Sequence, residues 1–129
     1  MEQSKFQFSN PHITKIDFRV NEKKIDSNDM PISIDVKSEV NKENKEAVTA
    51  LTLVVGEVNE ENEELVTSIY FNGTIAAEFK WAEEIKNPES MLKVSGGTVL
   101  LSYIRPILAT LTMQAGLKPL NIPFVDFTK

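Results

Sequence analysis

The sequence contains no cysteine. Disulfides, thiol nucleophiles and cysteine-based zinc sites are thereby excluded, and the absence accords with a reducing compartment. It contains one histidine, His12, beside Pro11 and Ile13 at a predicted turn. A catalytic triad or histidine metal site would lack its partners, so His12 reads as structural or solvated. Neither a GxGxxG nor a GxxxxGK[ST] pattern occurs, and no lysine follows the Gly96-Gly97 pair. That pair reads as flexibility or close packing rather than a phosphate cradle. Long apolar runs are missing too: no stretch approaches the ~20 residues of a bilayer span. The segment Met1 to Asn10 is polar with two phenylalanines and lacks the apolar core of a signal peptide. The expectation is a cytoplasmic protein without membrane insertion. Basic residues are the minority, 14 against 19 acids, for a net charge of -5. Nucleic-acid backbones demand clustered Lys and Arg, so nucleic acid is not an expected partner.

The acids themselves gather as Glu57, Glu60, Glu61, Glu63 and Glu64, and again as Glu83 and Glu84. Both groups fall in predicted turns, where solvated charge is the ordinary state. The segment Asn59 to Glu64 lacks the regular ligand spacing of a calcium loop. No acid–base pair, metal set or cofactor motif emerges, and the reading is of a binding protein rather than an enzyme, with no cofactor.

The 129 residues suit one domain over residues 1–129. Ile16, Phe18 and Val20 alternate with Asp17 and Arg19, which is the period of a strand with one apolar face. Asn10-Pro11 marks a break before it, and Asn21 to Asp29 a loop. Ile32, Ile34, Val36 and Val40 alternate with Ser33, Asp35, Lys37 and Glu39. Ala47 to Val58 and Leu65 to Trp81 supply two further strands, joined by polar turns into an antiparallel meander. Asn72-Gly73, in the middle of the last strand, is expected to mark a bulge or bend. The period then changes. Leu101, Ile104, Ile107, Leu108 and Leu111 lie on one helical face between Glu89 and Ala115. Pro106 is expected to kink or break that helix near Ser102. Gly116 and Pro119 end it. The tail, Leu117 to Lys129, is apolar, extended and irregular. Strands followed by a helix give an α+β fold, the helix covering one sheet face. The ten aromatics and the two-faced apolar strand Leu65 to Phe71 exceed what one helix obviously covers. The surplus implies an oligomer interface, a groove for extended apolar peptide, or both.

The stretch LLSYIRPILATLTMQAGLKPLNIPFVDF, Leu100 to Phe127, resembles the C-terminal core of the SecB family. The matching elements are Tyr103 and Arg105 on the helix, Gly116 at its end, and Leu120-Asn121-Ile122. Pro123 and Val125-Asp126-Phe127 complete the pattern. Upstream, SNPHITKIDFRVN resembles the family's first strand region and ISIDVKSEV its second. The specific motif covers about the last 28 residues. The resemblance implies a four-stranded antiparallel sheet packed against a long helix, protomers assembled as a homodimer or homotetramer, and ATP-independent chaperone binding of nonnative polypeptides. It implies two further partners, the export motor SecA or an antitoxin. It departs from the export members in charge: acids offered to SecA fall here on Lys15, Arg19 and Ser68. Facing a partner built for acids, the inverted charges would repel. Pro106 is also unusual for the family. The family usually continues into a second C-terminal helix; with the sequence ending at Lys129, a more open groove or a changed binding mode is expected. The residues expected to line the groove are Tyr103, Leu120, Ile122, Phe124 and Phe127, with Phe18 and Trp81.

Overall fold

A computed structural model describes residues 6–23, 30–82, 86–123 and 125–128. The alternating segments become strands: β1 (Phe6–Phe8), β2 (His12–Val20), β3 (Ile32–Asn41), β4 (Glu46–Val55) and β5 (Ile69–Trp81). All pairings are antiparallel. The meander β3–β4–β5 closes as its periodicity requires, but the first strand does not join β3. Instead β1 and β2 lie end to end along the outer edge of β5, whose 13 residues are long enough to carry both. The sheet therefore has four positions, in the order β1/β2, β5, β4, β3, and Asn10-Pro11 is the break between the two edge pieces.

Register decides the faces. Phe71 stands opposite both Phe18 and Val55, Ile75 opposite Leu51, and Phe79 opposite Ala47 and Phe8. Leu51, Leu53, Val55, Phe71, Ile75 and Phe79 are thereby brought to one face and buried. Thr52, Thr74 and Arg19 fall on the other.

Helix begins at Asn87, whose side chain accepts the Ser90 amide at 3.2 Å, with Pro88 in the first turn. α1 (Pro88–Met91) runs through a π-helical turn, Leu92–Gly96, into α2 (Gly97–Gln114). The glycine pair sits where the helix meets the sheet and tail. A Cβ on Gly96 would touch Phe79 and Thr49, and one on Gly97 would press on the Phe127 ring. Gly116, with φ of +81°, ends the helix as expected: the Leu117 amide donates to the Thr112 carbonyl. By length and composition the helix could cross a bilayer, yet Leu100, Leu101, Ile104 and Leu108 are fully buried against the rest of the fold.

Two local expectations are corrected. Of the kink or break expected at Pro106, the break does not occur, since α2 runs continuously from Gly97 to Gln114. Proline in a helix costs about 3 kcal/mol, whereas burying four large aliphatic side chains contributes about 6–12 kcal/mol at 1.5–3 each. Packing therefore wins, and Ser102, whose carbonyl the proline deprives of its helical donor, is an exposed residue. The irregular turn lies earlier, at Leu92–Gly96. Nor does β5 bulge at Asn72-Gly73, where its pairing with β4 is continuous. The irregularity is across the ladder in β2, between Ile13 and Lys15. Gly73 is needed instead because the Phe71 ring folds over it, 2.5 Å from where a Cβ would stand.

Candidate binding surface

The helix packs chiefly on β4 and β5, and Ile16 and Val20 of β2 stay exposed. The apolar face of the sheet is thus roofed in its centre and open along one side. β1 partly closes the opening at one end. The Phe6 ring stacks on Phe79 at 5.2 Å, and the Phe8 ring meets Tyr103 of α2 edge-on at 6.3 Å. Beyond them the side chains stay wet: Phe8 is 41% exposed, Ile16 43%, Val20 41% and Tyr103 43%. Half-buried Phe18 lies between Ile16 and Val20 on the same face. Both β1 and β2 pair only with β5 among the described residues, so this apolar border coincides with a sheet edge. Along β2, which among the described residues pairs on one side only, exposed apolar side chains beside a sheet edge are suited to an added extended strand.

The far end of β2 is fastened by Asn21. Its side-chain amide donates to the Leu65 and Thr67 carbonyls at 3.0 and 3.1 Å, and its backbone amide to the Ser68 carbonyl. Thr67 Oγ1 in turn accepts the Glu57 amide and donates to the Ile69 carbonyl. These bonds hold the β4–β5 connection against β2, and the edge strand keeps its place without help from the helix.

The opposite sheet face is polar at this edge. The Arg19 guanidinium grips Asp17 through two bonds of 3.0 Å and lies 5.7 Å over the Tyr70 ring. The hydrogen bond to Asp17, with its charge, raises the Arg19 pKa further. Lys15 is exposed on the same face. Among the described residues no three His, Asp or Glu side chains gather to hold a metal ion.

The residues expected for a groove separate into levels. Tyr103 is at the surface, while Phe18 and Leu120 are half-buried. Trp81, Ile122 and Phe127 lie in the core. Phe124 falls outside the described residues. Tyr103 stands beside Phe8 of β1 and Phe18 lies on β2 farther along the same edge, whereas Leu120 belongs to the returning tail. Phe8, Ile16 and Val20 were not singled out from sequence. The signal for Ile16 and Val20 was present in the alternation of residues 16–20, but one-dimensional patterning does not say which apolar strand face a helix will reach.

No family model matches the chain, and no curated protein matches it. Among solved structures it is similar to the SecB-like chaperone Rv1957 of Mycobacterium tuberculosis, in complex with a ChAD peptide from the HigA1 antitoxin. The TM-score is 0.68 at 13% identity, over 94% of this chain and 91% of that one. The α+β fold expected from the sequence, an antiparallel sheet with a long C-terminal helix, is therefore a SecB-like fold.

Proposed function

We propose that this protein, a single SecB-like domain, is an ATP-independent chaperone that binds unfolded or precursor polypeptide along the open border of its sheet. The observation that carries this reading is the line of exposed Phe8, Ile16 and Val20, with Tyr103 beside Phe8, along an edge where β2 pairs only with β5 among the described residues. Covering one half-exposed side chain of this size contributes about 1 kcal/mol, so four contribute about 4 kcal/mol before the costs of association. That alone binds weakly. Backbone bonds from the edge strand, and several sites in a homodimer or homotetramer, would supply the remainder.

Titration with an unfolded, apolar polypeptide tests the reading. Expected are micromolar binding, slower client aggregation and no effect of ATP. No binding at micromolar concentration together with unchanged aggregation would overturn it. Light scattering should report a dimer or tetramer.

A second reading, a dedicated chaperone of one partner such as an antitoxin, draws support from the neighbour in the same fold that carries an antitoxin peptide. It predicts tight binding to one short segment and little general suppression of aggregation. A role in export is the weaker branch. Arg19 and Lys15 are exposed cations at positions where the export members offer acids to SecA.

A further inference from the structure

Tyr103 and Arg105 are two residues apart on α2 and look to opposite flanks. On the Arg105 side the chain turns back after Gly116 and runs beside the helix. The Leu120 amide is fixed to Thr112 Oγ1 at 2.9 Å. A groove of about 370 Å³ opens between them, with Ser102, Arg105, Ala109 and Met113 on the helix and Pro119 and Asn121 on the tail. Arg105 is the one charged residue among those lining it. The ion pairs among the described residues involve Arg19, Lys37 and Lys42, not Arg105. Its Nε is buried without a hydrogen-bond partner. A guanidinium is charged at every physiological pH and offers five donors. Here that charge stands at a groove whose other lining residues are uncharged, in a protein of net charge -5.

We propose that this groove is a carboxylate subsite for bound polypeptide: it takes the side chain of a client Asp or Glu at Arg105 and an apolar client residue at Met113. The inference rests on the reading that the protein binds polypeptide, and adds a sequence preference to it. A carboxylate suits the planar guanidinium fork, either across the two Nη or, after a small torsional change, across Nη and Nε. The other lining residues are apolar or neutral, so a lone small anion would gain little beyond the arginine. Arg105 and Met113 are eight residues apart, about 12 Å along the helix at 1.5 Å per residue. An extended chain rises about 3.3 Å per residue, which places the acid three or four residues from the apolar side chain.

The test uses fluorescently labelled peptides of the full spacing, one with Glu three residues before Leu and one with Gln in place of Glu. Both are titrated against the intact protein by anisotropy. The Glu peptide is expected to bind about five- to tenfold more tightly at low salt, with the ratio shrinking as salt rises. Arg105→Gln should erase the ratio. Ala109→Glu, one turn from Arg105, should also erase it by supplying an internal carboxylate, while Ala109→Gln should preserve it. The Ala109 pair decides the matter if Arg105→Gln does not fold. Equal binding of the two peptides, or a ratio unchanged in Arg105→Gln and Ala109→Glu, would overturn the subsite while leaving general client binding intact. If neither peptide binds and an unfolded polypeptide does, the subsite alone falls. If the unfolded polypeptide fails as well, both readings fall.

Discussion

Phe71 illustrates how much one side chain imposes on its neighbours. Its ring is fully buried and occupies the space above Gly73 that any side chain there would need. Gly73→Ala should therefore destabilise the protein by about 1–3 kcal/mol, seen as a lower urea midpoint at unchanged slope. From sequence, Asn-Gly within a strand pointed to a bulge or bend, and the bulge does not form. The requirement was real, but its cause was an aromatic ring two residues away. At the other end of the chain, hydrogen bonds from Thr128, its hydroxyl first and then its amide, hold the Asp126 carboxyl below the usual carboxylate range. A folded-state pKa lowered in this way adds stability that is present above the unfolded-state value and lost as pH falls through the folded one. Asp126 is fully exposed, so the effect stays local. Thr128→Val should raise the Asp126 pKa toward the ordinary value, measured by NMR titration of its carboxyl carbon.

Among the elements, α2 shows tertiary packing overriding local propensity. Four buried aliphatic residues hold it against the sheet, and Pro106 is carried on its exposed side. Pro106→Ala removes the cost of proline in a helix while keeping the four buried contacts, and should stabilise the protein by up to about 3 kcal/mol in chemical denaturation. The returning tail depends on a different device. The Thr112 hydroxyl is buried, donates to the Leu108 or Ala109 carbonyl and accepts the Leu120 amide. Thr112→Val keeps the shape but strands that amide, so about 1–3 kcal/mol of stability should be lost. Hydrogen exchange at Leu120 should accelerate. The helix, its end at Gly116 and the apolar character of the tail were legible from spacing and composition. The Thr112 link was not, because a threonine on a helix face carries no mark of a partner eight residues on.

For the whole molecule, what matters is that the helix roof is narrower than the sheet. It packs chiefly on β4 and β5 and leaves Phe8, Ile16 and Val20 exposed along the outer side of β5. Ile16→Asp and Val20→Asp should leave the fold and its unfolding midpoint nearly unchanged, since both residues are exposed. Binding of unfolded polypeptide, measured by titration, should weaken about fivefold or more for the pair, from the lost apolar contact. The sequence by itself determined the elements and their class: period two up to Trp81, period 3.6 after Glu89, and a stop at Gly116. These are properties of neighbours along the chain, where residue type and spacing act directly on the backbone. It also carried the SecB-like resemblance that the fold then matched. Only the tertiary structure decided that β1 and β2 lie on β5 rather than β3, and that Trp81, Ile122 and Phe127 are core while Ile16 and Val20 are surface. It also decided that Arg105 forms no ion pair among the described residues. Those outcomes depend on which distant surfaces meet, and apolar patterning is blind to that because burial rewards any apolar partner alike.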